Sequence, residues 1–363
     1  MESRKYYIWG TGKIAQRWYR NYGHILERLE IRGYIDNNAA LWGSLFGGKR
    51  IYSPDILKSE KNCYLVIANA YREEIERQLQ VNSLTSGIRV EENFEQKLQI
   101  MDRYQNSSDV NQKEIARYLE NHALHVFNYP FQSDYADMEC EIGYDSKKEL
   151  YYAMYNGKKM FISRYFDTMH KARQYFKWLN MEQDIQSPHR YVKDMESFGN
   201  DLVILDAGAA EGNFSLSLVD KAKKIYLFEP DENWIEALKY TFEPYKEKVV
   251  IIPKSLSDYE NSMTTTIDKE LNGDMVDVLK LDIEGEELYA LKGGRQTMKK
   301  SPNIKCFVCT YHQEFAYEAI KAFFENINFE TEVTDGYMWF PENPYSKRTS
   351  ILRHGVIRAK PRE

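Results

Sequence analysis

Residues 206–214, Asp-Ala-Gly-Ala-Ala-Glu-Gly-Asn-Phe, follow directly on a short apolar run, Leu202-Val203-Ile204-Leu205. Glycines at 208 and 212 let the backbone turn sharply and approach a ligand that a Cβ would repel. The spacing is not GxGxxG, which argues against a dinucleotide pyrophosphate. Asp206, just before the loop, suits a ligand with a cationic end, such as the amino group or sulfonium of S-adenosylmethionine. A second run ends in Phe228-Glu229-Pro230. A carboxylate there, about twenty residues beyond the glycines, is placed to accept hydrogen bonds from both hydroxyls of a ribose. Ser255 follows a third run, where it would border an adenine. The candidate cofactor set is Asp206, Gly208, Ala209, Glu211, Gly212, Asn213, Phe214, Glu229, Pro230 and Ser255, with Asp282 from the next motif. The competing reading has Asp206 and Glu229 merely capping helices.

A fourth run delivers Lys280-Leu281-Asp282-Ile283-Glu284-Gly285-Glu286-Glu287. While the chain stays extended, Asp282 and Glu284 share one face. Neighbouring carboxylates can act as a general base, because repulsion raises one pKa, or can hold a hard divalent cation through oxygen. The acids also suit the positive end of a following helix. Tyr311-His312-Gln313 follows a fifth run and should open on the same sheet edge as Asp282. His189 lies between Pro188 and Arg190 in an expected loop, where a structural role competes with a catalytic one. The catalytic candidates are therefore Asp282, Glu284, His312 and His189. A Mg-like ion on Asp282 and His312, with Glu284 as a further ligand, ranks below metal-free base catalysis.

These motifs need a parallel sheet behind them. Candidate strands are 202–205, 225–228, 249–252, 276–281 and 305–309, with helices expected over 234–242 and 286–299. Runs at 329–333 and 351–358 have no convincing helix between them and imply an antiparallel finish. Upstream, Glu149–Arg164 holds two alternating segments around Asn156-Gly157, a strong hairpin signal. A helix is expected over 171–179, and residues 113–200 read as a cover on the last domain. The polar stretch 101–112 reads as a linker. Residues 1–100 alternate strand and helix and form a smaller Rossmann-like α/β domain. The last domain is then 201–363. Its Cys306-x-x-Cys309 falls on a strand, so the thiols point to opposite faces, unlike a redox or zinc turn. Asp335–Phe340 is a candidate lining for an acceptor pocket.

The chain has 363 residues, 43% hydrophobic and 29% charged, which at roughly 150 residues per domain predicts two or three soluble domains. A net charge of −6 argues against a broadly basic nucleic-acid binder. No apolar run approaches the roughly 18 residues of a membrane span, and no signal-peptide core opens the chain, so a cytoplasmic protein is expected. Four cysteines are too few and too scattered for a disulfide framework.

The 206–214 loop, Phe228-Glu229-Pro230, Ser255-Leu256-Ser257-Asp258 and above all Lys280–Glu287 resemble the FkbM family of S-adenosylmethionine-dependent methyltransferases. Leu288, Leu291, Lys292 and Gly293 extend the match. The resemblance covers roughly 201–328, with Glu182-Gln183 and Ser187–Tyr191 similar to segments that precede the core in multidomain members. It implies a class I methyltransferase seven-stranded Rossmann-like sheet and oxygen methylation, often of sugars. It also implies that Asp206, Gly208, Gly212 and Glu229 hold the cofactor and that Asp282 borders the reacting groups. Through GTGKIA, YIDNN, SPDIL and YLVIANAYREEI, the first domain resembles the small Rossmann-like domain of bacterial sugar-nucleotide acyltransferases. That implies a uridine or sugar-nucleotide pocket lined by Gly10, Gly12, Lys13, Asp36, Asn37 and Asn69.

Together these features point to a bacterial enzyme that methylates a carbohydrate hydroxyl on a sugar nucleotide or surface-glycan precursor. Two alternatives stand beside it. A nicotinamide-dependent oxidoreductase acting through the first domain lacks a well-placed Tyr-x-x-x-Lys pair. A non-catalytic nucleotide- or sugar-binding scaffold would bind a cofactor without turnover. Neither the acceptor nor the oligomeric state is legible.

Overall fold

In the computed structural model, residues 4–81, 87–340 and 351–362 are described. The chain divides into two compact units, 1–129 with 341–352, and 130–340 with 353–363. The unit border at Tyr129/Pro130 corrects the expected linker at 101–112. That stretch is the turn between α3 (Phe94–Tyr104) and α4 (Val110–Tyr118). Its polar residues serve the turn: the Asp109 side chain accepts from Gln112 N at 3.1 Å, and Ser107 Oγ donates to Gln112 Oε1 at 2.7 Å. Polarity here marks a helix cap rather than a domain boundary.

The first unit begins with β1 (Lys5–Trp9), α1 (Lys13–Leu26), β2 (Glu30–Ile35), β3 (Leu45–Phe46) and β4 (Lys49–Tyr52). It continues through β5 (Cys63–Ile67), α2 (Arg72–Val81) and β6 (Ile88–Val90) to α3 and α4. Its sheet runs β3-β4-β2-β1-β5-β6, parallel except for the β3–β4 pair. Of the expected nucleotide pocket, Gly12, Lys13 and Asn37 are exposed, and Gly10 turns β1 into α1. Asp36 Oδ2 accepts from Thr11 N and Oγ1 at 3.2 and 2.6 Å, and Asn69 Oδ1 accepts from Tyr71 N at 3.0 Å. Both side chains thus brace their own loops. Deeper in the unit, Lys97 is fully buried, donating to Glu91 Oε1 at 3.0 Å and to Tyr6 Oη at 2.8 Å. Burial lowers the Lys97 pKa to about 8, against the pull of Glu91.

The second unit opens with a three-stranded antiparallel sheet, β7 (Ile142–Asp145), β8 (Leu150–Tyr155) and β9 (Lys158–Phe161). Asn156 and Gly157 turn between β8 and β9 at φ 49° and 75°, the left-handed pair that the Asn-Gly signal calls for. After α5 (Met169–Glu182) come β10 (Leu202–Ala207), α6 (Asn213–Leu218), β11 (Ala222–Phe228), α7 (Glu232–Thr241) and β12 (Val249–Ile252). Next are a two-residue pair, β13 (Ser255–Leu256) and β14 (Thr264–Thr265), then α8 (Ile267–Leu271) and β15 (Val278–Leu281). The expected helix over 286–299 is two pieces, α9 (Glu287–Gly293) and α10 (Arg295–Lys300), broken at a glycine pair. The unit ends with β16 (Lys305–Cys309), α11 (Ala316–Asn326), β17 (Phe329–Val333) and β18 (Met338–Trp339). Beyond it, β19 (Leu352–Arg353) spans the unit border, and β20 (Val356–Pro361) follows.

The main sheet is β12-β11-β10-β15-β16-β20-β17. Only β20 runs antiparallel to its neighbours, giving the expected seven strands and antiparallel finish. One core cluster joins Leu205, Phe228, Leu279 and Val308 of the sheet to Leu291, Ile320 and Phe324 of the helices. Strand order reverses between β10 and β15, the switch point at which open α/β sheets bind ligands. The hairpin packs on α7: Phe161 N donates to Thr241 Oγ1 at 2.9 Å, and Arg164 bridges to Glu236. Among the described residues, no helix is long and apolar enough to cross a membrane.

The Lys97–Glu91 pair gives the first test. Lys97→Ala removes the cation on Glu91 Oε1 while Arg4 and Tyr6 still hold Oε2, and should cost roughly 1–3 kcal/mol, read as a lowered melting temperature. The double change Lys97→Met with Glu91→Gln should recover most of that loss.

Candidate active site

The carboxyl ends of β10, β11, β15 and β16 gather the motifs. Gly208 has φ 66°, and a Cβ there would lie 1.8 Å from Asp282 O, so only glycine fits. The loop is drawn onto β11 by Gly208 N and Ala209 N, which donate to Phe228 O at 2.9 and 3.3 Å. Asp206 is fully buried; its Oδ2 accepts from Ser215 Oγ at 2.8 Å, and its Oδ1 lies 3.1 Å from Lys280 Nζ. Lys280 also donates to Gly208 O at 2.6 Å. The charge of Asp206 is met inside the sheet by Lys280, instead of facing a cationic ligand.

Glu229 is buried and ties two loops together, Oε2 accepting from Ala210 N and Oε1 from Asp231 N, each at 3.0 Å. Burial raises its pKa. Each oxygen keeps a lone pair for a hydroxyl donor. Asn213 and Phe214 begin α6 and are buried, whereas Pro230 and Ser255 are exposed. A cavity of about 270 Å³ is lined by Asn213, Phe214 and Tyr191 with Tyr155 and Arg190. A larger one of about 420 Å³, around Phe198, Phe307 and Arg358, carries none of the candidate groups.

Glu211 acquires an unexpected partner. Tyr175 Oη, from α5, donates to Glu211 Oε2, and the Tyr175 ring stacks on Phe166 with centroids 4.2 Å apart. Burial pushes the Glu211 carboxyl up to about 7, against the Tyr175 hydrogen bond. Glu182, also raised by burial, accepts from Trp178 Nε1 and repels Glu211.

Asp282 is the hub of a second network. Its Oδ2 accepts from Tyr191 Oη at 2.7 Å and its Oδ1 from Tyr311 Oη at 3.1 Å. His189 Nε2 lies 3.6 Å from Oδ2, and His312 Nε2 lies 3.4 Å from Oδ1. Burial alone would raise the Asp282 pKa. The hydrogen bond to His189 and the charges of Lys280 and His312 instead hold it well below the usual carboxylate range. Burial likewise opposes charge on His312, but Glu287 and Asp282 raise its pKa, with a smaller push from Glu284. For His189 the charges of Glu182 and Asp282 outweigh burial in the same sense.

The expected Asp282–Glu284 face is corrected. β15 stops at Leu281, and Glu284 sits at φ 57° in a turn with its side chain 88% exposed. Strand alternation has ended, although Glu284 Oε2 still comes within 3.7 Å of His312 Nε2. The buried acid beside His312 is Glu287, whose Oε1 lies 2.9 Å from Nδ1. Cys309 Sγ lies 3.9 Å from His189 Nε2, while Cys306 is in the sheet core. Of the 335–340 segment, Phe340 approaches the Tyr311 and His312 rings, with centroids 5.1 and 5.9 Å apart.

Residues 243–331 match the family model described as Methyltransferase FkbM domain. The second unit carries a methyltransferase domain. Residues 2–86 of this methyltransferase match a further family model, C2185-like, N-terminal. No curated protein matches the sequence. A solved structure of methyltransferase FkbM from Methylobacillus flagellatus KT is 14% identical, with TM-score 0.41, covering 98% of this chain and 90% of its own. A precorrin-6y C5,15-methyltransferase from Geobacter metallireducens GS-15 is 12% identical, with TM-score 0.32, covering 45% of this chain and 83% of its own. SMU.1697c from Streptococcus mutans, in complex with SAH, is 12% identical, with TM-score 0.32, covering 45% and 90%.

Glu211 gives a pH test. Its carboxyl keeps its proton in the folded protein to about pH 7, but loses it near 4.5 when unfolded. Stability therefore declines as pH rises across that window and stays lower above it. Glu211→Gln should raise the melting temperature at pH 8, by the equivalent of about 3 kcal/mol, and change it little at pH 4.5. A difference independent of pH would remove the role given to burial.

Proposed function

We propose that the second unit transfers a methyl group from S-adenosylmethionine to a hydroxyl oxygen of a carbohydrate, acting in the cytoplasm. The observation that carries the reading is the joining of two features at one sheet switch point. The Gly208 loop, held to Glu229, stands beside the Asp282–His312 pair. When bound, that cofactor supplies an electrophilic methyl carbon on a sulfonium.

The chain's own residues supply the remainder. Glu229 is placed to take ribose hydroxyls with its free lone pairs, while the loop fixes where the ligand lies. A sugar hydroxyl must lose its proton as its oxygen attacks. Asp282 is a poor proton acceptor, because it is held well below the usual carboxylate range. His312 Nε2 is the base, and Asp282 stabilises the imidazolium that forms. Phe340, beside Tyr311 and His312, offers a ring face for an apolar sugar face.

A divalent ion on Asp282 and His312 is the less favoured arrangement. A nitrogen and two carboxylates suit such an ion, but both Asp282 oxygens already accept tyrosine hydrogen bonds. For the first unit, a nucleotide-linked sugar near Gly10, Gly12, Lys13, Asp36, Asn37 and Asn69 remains the proposed ligand.

Calorimetry with S-adenosylmethionine should show binding, and labelled cofactor with a panel of sugar nucleotides and glycans should show transfer. Glu229→Ala should weaken cofactor binding by roughly 1–3 kcal/mol. Asp282→Asn should lower turnover through the lost counter-charge, and His312→Gln, which removes the base, should lower it by about 10²–10⁴. Exhaustive chelation should leave the rate unchanged; loss of rate, restored by Mg, would reinstate the metal. Absence of cofactor binding by the intact chain would end the proposal.

A further inference from the structure

His312 is almost wholly buried, and both ring nitrogens face carboxylates on different elements. Nε2 faces Asp282 from the end of β15 and, at 3.7 Å, Glu284 from the turn. Nδ1 faces Glu287, the first residue of α9, at 2.9 Å. Among the described residues Nδ1 makes no other polar contact, and Glu287 Oε1 is the acceptor that faces it. The separation is that of a charge-assisted pair.

Glu287 is itself immobilised. It is 1% exposed, and the same Oε1 accepts from Ile283 N at 2.9 Å and from Gly285 N at 3.3 Å. The carboxylate therefore grips the turn after Asp282 with one oxygen and presents that oxygen to His312. A neutral imidazole carries one N–H, and the acceptor offered to one nitrogen decides which nitrogen keeps a lone pair.

We propose that Glu287 is a positioning residue that holds the proton on His312 Nδ1 and so keeps Nε2 free to take the proton of the acceptor hydroxyl. This rests on His312 being the base of the proposed transfer. Glu287 does not touch the reacting atoms; it acts through the imidazole. In the transfer, the hydroxyl proton moves to Nε2 as the oxygen–methyl bond forms and the carbon–sulfur bond breaks, its electron pair staying on sulfur. The imidazolium then lies between Glu287 and Asp282, with Glu284, Tyr311 and His189 completing its polar surroundings.

The test uses the intact chain with ¹⁵N-labelled histidine, the His312 signals being assigned by their loss in His312→Gln. Nuclear magnetic resonance of the free protein, at a pH above the raised His312 titration, should show neutral His312 protonated at Nδ1. In Glu287→Ala the signals should move towards the Nε2–H form, the tautomer that donates to Asp282. Glu287→Gln keeps an oxygen for both backbone amides but removes the charge. In it, His312 should titrate about 1–3 pH units lower, the range for loss of a neighbouring opposite charge.

With an acceptor identified by the transfer screen, Glu287→Gln should lower kcat at least about tenfold with little change in KM, part of the roughly 10²–10⁴ a positioned base supplies. An unchanged tautomer in a folded Glu287→Ala chain, or an unchanged His312 titration in Glu287→Gln, overturns the proposal. Calorimetry on the same samples separates the two questions: a chain that fails to bind S-adenosylmethionine defeats the transfer reading, while the tautomer result stands by itself.

Discussion

A single negative charge, on Asp282, sets the order of the sheet edge. Buried carboxylates ordinarily take up a proton, yet two tyrosine hydroxyls, two imidazoles and the Lys280 ammonium surround this one. Desolvation is outweighed by hydrogen bonds and opposite charge within a few ångströms. The groups that hold it come from distant parts of the chain, Tyr191 and His189 from before the sheet and Tyr311 and His312 from after β16. A carboxylate fixed in this way serves better as a counter-charge than as a proton acceptor. In the proposed transfer the proton goes instead to His312, whose own pKa is raised by the acids beside it.

A second ion pair, Lys280 with Asp206, lies under the glycine loop and gives the floor of the site a built-in neutrality. Lys280 also donates to the loop backbone, so β15 supplies both the anchor of the loop and the acid of the network. The two motifs are thereby mechanically one piece.

Much of the fold was legible in the sequence because burial on both faces writes parallel strands as unbroken apolar runs. The strands at 202–205, 225–228 and 305–309 announce themselves in this way; 249–252 is an apolar edge strand, and the Asn156-Gly157 turn reads from its own residues. β7 was missed because Ile142–Asp145 offers only one buried apolar residue and no alternating run. The site was legible as motifs, and less so as partners. Asp206 and Lys280 lie on neighbouring strands, so nothing in either segment reveals that they neutralise one another. Tyr175 and Glu211 meet across 36 residues for the same reason. Glu284 misled because its strand ends at Leu281, and the turn through Gly285 cancels the two-residue alternation. Glu287 was hidden by its neighbours, since three acids in five residues look alike until burial separates them.

The absent side chain at Gly208 reaches further than its own turn. With Asp282 O lying where a Cβ would be, the two backbones interlock, and neither segment can drift in sequence or position without the other. Divergence towards new acceptors must then work through pieces hung around this rigid joint, such as the β8–β9 hairpin, α5 and the ring of Phe340.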